Sequence, residues 1–113
     1  GEQLINIVHI DDVVEAYKTS IERFAKFEDI YLEDFDIRSN ENIKLKTLVN
    51  TYLRFIDNQI KINWGGRSYR DREIMIPAFM GKILPGWSPK VKLEDGLKSL
   101  ANEFLKVQFE HNN

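Results

Sequence analysis

Residues 4–14 read Leu4-Ile5-Asn6-Ile7-Val8-His9-Ile10-Asp11-Asp12-Val13-Val14, and this stretch decides how the chain is built. Leu4 to Ile10 is an apolar run broken by Asn6, which predicts a strand. Asp11-Asp12 punctuates it. Asp12 is the expected cap of a helix over 13–26, with Glu15 three residues on, as in a capping box. Val13, Ala16, Tyr17, Ile21 and Phe24 form the apolar stripe of that helix. A strand that feeds directly into an amphipathic helix opens a small α/β unit.

Outward from there, residues 27–29 form a turn and 31–37 a strand, with Phe35 and Ile37 alternating toward one face. Ser39-Asn40-Glu41-Asn42 is a polar loop. Leu45, Leu48, Val49, Tyr52, Leu53 and Ile56 mark a second amphipathic helix. Ile60, Ile62 and Trp64 alternate, predicting a strand over 59–64 that Gly65-Gly66 ends. Residues 69–76 read as an extended segment. Pro77 suits the first position of a short helix over 78–83. Residues 85–89 are a loop. Leu93, Leu97, Leu100, Ala101, Phe104 and Leu105 form the stripe of a third long helix, with a frayed tail from Glu110. Gly96 inside that helix costs roughly 1 kcal/mol against Ala, so a close packing contact is expected there. The order is strand–helix–strand–helix–strand and then two helices. The fold class is a small α/β (α+β-like) domain of short strands and three main helices.

The 113 residues fit one domain, 1–113. With 42% hydrophobic and 30% charged residues, the composition is that of an ordinary globular protein rather than a disordered one. A net charge of −2 gives no electrostatic reason to expect nucleic acid or an anionic membrane. No apolar run is long enough to span a bilayer and no signal peptide is visible. Without cysteine, the chain has no disulfide, thiolate ligand or thiol nucleophile. This absence fits a cytoplasmic location.

Three segments carry a resemblance. Gly1, Glu2, Gln3, His9, Asp11, Asp12, Val13 and Val14 match the first. Tyr69, Arg70, Glu73, Ile74 and Met75 match the second. Leu84, Gly86, Trp87, Pro89, Lys90, Val91, Leu93, Glu94, Gly96 and Leu97 match the third. In this order the chain resembles the C-terminal, substrate-binding part of an NAD-dependent epimerase/dehydratase, the nucleotide-sugar branch of the extended short-chain dehydrogenases. The resemblance covers nearly the whole chain and implies a fragment of a longer enzyme whose Rossmann domain lies elsewhere.

The resemblance makes Arg70 the first candidate for binding substrate. A nucleotide-diphosphate sugar carries a diphosphate, and the planar guanidinium binds phosphate oxygens in bidentate fashion. Glu73 would orient that guanidinium. Taken by themselves, Arg67, Arg70, Asp71, Arg72 and Glu73 read as a surface salt-bridge cluster of little energetic consequence. Gln3 could donate to a sugar hydroxyl, nucleobase or phosphate, or simply be a polar residue at a strand start. Ile5 departs from the family pattern, where many relatives carry an arginine that contacts the diphosphate. Either Gln3 or Arg67 compensates, or the nucleotide is gripped differently.

Several tempting residues read as structural. His9, just before a helix, is the kind of histidine that is packed or hydrogen-bonded. Asp11 and Asp12 lack further metal ligands at suitable spacing. Trp87 is expected to brace the last helix, and Trp64 is free to stack on a nucleobase. There is no glycine-rich dinucleotide turn. The catalytic Tyr-x-x-x-Lys pair is also missing, since Tyr17, Tyr31, Tyr52 and Tyr69 are followed four positions on by Ile21, Phe35, Ile56 and Glu73. The chain therefore has no catalytic residue and no cofactor of its own. NAD or NADP is implied for the parent enzyme, the missing Rossmann domain is the implied partner, and homodimeric self-association would cover the orphaned apolar surface. The alternative is a stand-alone, non-enzymatic binding or interaction module that retains the fold.

Overall fold

The computed structural model describes residues 1–29, 32–57, 60–66, 76–79 and 81–112. In chain order these form β1 (Leu4–Ile5), α1 (Ile10–Lys26), β2 (Phe35–Asp36), β3 (Ile43–Lys44), α2 (Leu45–Phe55), β4 (Lys82–Ile83) and α3 (Leu93–Asn112). This is a small α/β domain of three helices and short strands. Antiparallel β1–β3 pairs Leu4 with Lys44 and Ile5 with Ile43. Parallel β2–β4 pairs Phe35 with Lys82 and Asp36 with Ile83.

The first strand is much shorter than the apolar run predicts. Asn6 explains why. Its Oδ1 accepts from the Ser39 backbone N–H at 2.8 Å, and its Nδ2 donates to the Ser39 carbonyl at 3.1 Å. A side-chain amide thus replaces the backbone ladder one residue beyond Ile5. At its start the same segment completes α2. Lys44, the residue that caps α2, supplies no side-chain bond, and the first N–H groups of α2 are orphan donors. The Gln3 carbonyl accepts from Leu45 N–H at 2.9 Å, and the Gly1 carbonyl accepts from Lys46 N–H at 3.0 Å.

Helix α1 starts earlier than predicted, and its cap is His9 rather than Asp12. His9 is extended (φ −65°, ψ 145°), and its Nδ1 accepts from the Asp11 backbone N–H at 3.1 Å. Asp11 and Asp12 then occupy the first turn, where negative charge suits the helix dipole. The inward face also differs. Asp12 and Ala16 are buried, whereas Tyr17, Ile21 and Phe24 are 69%, 68% and 61% exposed.

The main core lies on that inward face. Ala16, Leu84 and Trp87 form its buried centre, with Val8, Phe35 and Ile37 packed around them. Phe35 and Ile37 reach the same cluster because alternate strand residues share a face. Helix α2 packs on α3. Ile56 after α2 and Leu97 and Ala101 on α3 are buried, while Leu100, Phe104 and Leu105 of the expected stripe remain exposed.

Three further expectations fail. Residues 60–63 form no strand, and Ile60 and Ile62 are exposed, so the alternation there marks no buried face. No helix forms over 78–83 among the described residues. Instead Lys82–Ile83 joins Phe35–Asp36, and Asp36 Oδ2 accepts from Gly81 N–H at 2.7 Å at the entry to that pairing. The C-terminal residues are helical to Asn112 rather than frayed from Glu110. The extended reading of 69–75 lies outside the described residues.

Candidate functional site

Asp12 joins the two ends of the chain. Its backbone carbonyl accepts from the Trp87 indole N–H at 2.8 Å, and its carboxylate Oδ2 accepts from the Val91 backbone N–H at 3.0 Å. At 4% exposure, the carboxylate has given up most of its water. A charge-assisted hydrogen bond of this kind is worth about 1.5–3 kcal/mol. Trp87 therefore braces the first turn of α1, and Asp12 ties that turn to the Val91 backbone while His9 caps the helix.

His9 contributes to the same junction. With Nδ1 accepting, its other face lies against Gly96, where an added Cβ would sit 3.2 Å from His9 Cδ2. The close contact expected at Gly96 is thus with His9. The histidine is structural, as its position before a helix suggests.

These tethers shape two clefts on either side of the 39–42 loop. The larger, about 500 Å³, runs from Val8, His9 and Asp12 across to Lys90, Val91 and Gly96. The smaller, about 310 Å³, lies between Asn6, Arg38 and Asn40 on one side and Phe79 and Ser88 on the other. The loop and Pro89 contribute to both. Ion pairs lie mostly outside the clefts. Lys44 bonds to Glu2 at 3.2 Å and holds the Glu2 carboxyl below its ordinary range. Arg23 does the same to Glu33 across 2.9 Å.

Among the residues expected to bind substrate, Gln3 is half-buried at the edge of β1 and lines neither cleft. Its visible task is the backbone bond that starts α2. Arg67, Arg70 and Glu73 lie outside the described residues. Ile5 pairs with Ile43 in β1–β3. Trp64 stands against Gly1, where an added Cβ would run into the ring, so one end of its indole is covered. Arg38 and Asn6 are the residues that sequence reading missed. The signal for Asn6 was its place as the one amide in an apolar run. No group of three or more His, Asp or Glu side chains among the described residues could hold a metal ion. No helix among them is long and apolar enough to cross a membrane.

No protein-family model matches the chain. Over 108 residues, 94% of the chain, it is 25% identical to GDP-L-fucose synthase 1 of Arabidopsis thaliana and spans 31% of that protein. Over 105 residues, 88% of the chain, it is 30% identical to CDP-abequose synthase of Salmonella muenchen and spans 34% of it. The chain covers about a third of the length of these curated relatives, and is similar along nearly all of itself to two synthases named for a nucleoside-diphosphate sugar.

Proposed function

We propose that the chain is the substrate-binding portion of an NAD(P)-dependent enzyme acting on a nucleotide-diphosphate sugar, and is not catalytic by itself. The observation that carries this reading is the similarity of 88–94% of the chain to two synthases named for GDP and CDP sugars. In this reading Arg70 holds the diphosphate, Glu73 orients the Arg70 guanidinium, and Gln3 and Arg67 contribute further donors. Which base and sugar are bound depends on how this portion and the cofactor-bearing portion enclose the ligand.

The open face of α1 supports the same reading. Ile10, Val14, Tyr17, Ile21 and Phe24 recur every three or four residues and are all exposed. A continuous apolar stripe of this length is what a helix presents to another layer of protein. The radius of gyration is 18.1 Å, against about 13 Å for a compact chain of this size. Its extents of 54 × 42 × 19 Å describe a flat slab.

The described residues do not fit a dinucleotide. The three helices are led in by His9, Lys44 and Lys92, with no glycine-rich turn, and Asp11 and Asp12 in the first turn of α1 repel phosphate. In this reading the cofactor and catalytic groups belong to another part of the enzyme. Departure from the family pattern at Ile5 favours a second reading, a non-enzymatic binding module.

Titration calorimetry on the intact gene product with GDP-, CDP- and UDP-sugars tests the proposal. Saturable binding is expected, weakened about 10-fold or more by Arg70→Gln through loss of a charge-assisted phosphate contact. Failure of all three sugar nucleotides to bind would overturn it. An intact gene product with no dinucleotide-binding domain would favour the second reading.

A further inference from the structure

The smaller cleft holds a cation with no ion-pair partner among the described residues. Arg38 follows β2 and is half-buried, with its guanidinium carbon 5.0 Å from the centre of the Phe79 ring. Arg23 pairs with Glu33 and Arg54 approaches Glu94, but Arg38 has no carboxylate partner among the described residues. Stacking occupies a face of the guanidinium. The N–H edges of a guanidinium lie in its plane, and these are the edges that grip an oxyanion in bidentate fashion.

The cation is also held in place. Asn6 clamps the next residue, Ser39, through both its backbone N–H and its carbonyl, so the loop cannot swing without breaking two bonds. One carboxylate shares the cleft. Asp36 is already engaged, accepting the Gly81 N–H at 2.7 Å. Asn40 and Ser88 add an amide and a hydroxyl to the wall. The volume, about 310 Å³, is at the lower end for small-molecule sites.

We infer that this cleft binds a small polyhydroxylated oxyanion, its anionic group on Arg38 and its hydroxyls on Asn40, Ser88 and the Asp36 carboxylate. The engaged carboxylate disfavours a bare anion and favours one that brings hydroxyl donors. A phosphate monoester and a carboxylate of a sugar-sized polyol share this chemistry. The assignment goes beyond the reading above, since it stands on Arg38 and uses none of Gln3, Arg67, Arg70 or Glu73.

Calorimetric titration of the intact protein with inorganic phosphate, glucose 1-phosphate and glucuronate tests it. One of the two polyol anions binds saturably and more tightly than inorganic phosphate, and which one identifies the anionic group. Arg38→Gln weakens that binding about 10-fold or more, while Arg38→Lys, a point charge without the fork, retains part of it. Arg54→Gln, which removes a cation that lines neither cleft, leaves it unchanged. Should Arg38→Gln fail to fold, as judged by circular dichroism, Arg38→Lys and Asn40→Ala must both weaken binding. The inference is overturned if neither polyol anion binds, if inorganic phosphate binds as tightly, if folded Arg38→Gln matches the wild type, or if only Arg70→Gln abolishes binding. That last result would leave the sugar-nucleotide reading standing.

Discussion

Trp87 and Asp12 are tied by a buried hydrogen bond, the indole N–H donating to the Asp12 carbonyl across 2.8 Å and 75 residues of chain. The bond fixes the loop after β4 to the first turn of α1, and both clefts depend on that junction. Trp87→Phe keeps most of the ring's packing but removes the donor. Its expected cost is about 1 kcal/mol, whereas Trp87→Ala should cost about 3–5 kcal/mol through the cavity it leaves. Denaturant unfolding of the two variants checks the order. No loss in Trp87→Phe would mean that the N–H bond contributes nothing, and equal losses that the ring's packing contributes nothing.

Asp12 makes its second tether with its carboxylate, to Val91 N–H at 3.0 Å. Asp12→Asn retains an acceptor but loses the charge that favours both this bond and the helix N-terminus, a loss of about 1 kcal/mol. Asp12→Ala strands the Val91 N–H and should lose about 2–3 kcal/mol. Amide exchange at Val91 should speed up markedly in Asp12→Ala and less in Asp12→Asn. Unchanged protection in both variants would contradict the tether.

Arg23 grips Glu33 with two bonds, Nε to Oε2 at 2.9 Å and Nη2 to Oε1 at 3.1 Å. Hydrogen bonding from Arg23 chiefly lowers the Glu33 pKa below the ordinary 4.5, with Coulombic help from Arg23 and Lys82 against a desolvation effect that raises it. A lowered folded pKa gives stability that is present above the ordinary value and is lost as pH falls through the lowered one. Glu33→Gln should therefore be less stable than the wild type at pH 6–7, and the gap should close below about pH 4.5. High salt should narrow the gap at neutral pH, because the pair is partly exposed. Chemical denaturation at several pH values reads this directly.

Gly86 holds φ at +78° in the turn between Leu84 and Trp87, with an added Cβ no closer than 3.9 Å to Thr19 Cγ2. Space is available, but the left-handed backbone is not one that alanine adopts freely. Gly86→Ala is expected to cost about 1 kcal/mol, measurable as a lowered unfolding midpoint. No change would show that the turn relaxes to a negative φ.

The open stripe of α1 gives a prediction about association rather than folding. Tyr17→Ser and Ile21→Ser remove apolar groups that are 69% and 68% exposed. Stability of the isolated chain should move by no more than about 0.5 kcal/mol for each. Sedimentation velocity should show less self-association than in the wild type. A large loss of stability would place these side chains in a core instead.

Several local features were legible because neighbouring residues set them. The stripe of α2, the polar turn at 39–42 and the Pro-Gly-Trp loop follow from residues near each other in sequence. Partner-dependent features were not. Ile60, Ile62 and Trp64 alternate as a strand does, yet alternation by itself does not make residues 60–63 a strand. Lys82–Ile83 carries no strong strand signal and becomes one because Phe35–Asp36 lies beside it.

The sequence by itself determined three helices, short strands between them, and the resemblance that points toward nucleotide-sugar chemistry. These depend on local periodicity and on motif order along the chain. Only the tertiary structure decided which face of α1 is buried, that His9 rather than Asp12 caps it, and that Trp87 reaches Asp12. It also decided that Arg38 stands over Phe79 in a polar cleft. Each of those outcomes was a choice between chemically capable residues. Helix periodicity describes a stripe but not what covers it, and hydrogen-bond partners dozens of residues apart are chosen by packing.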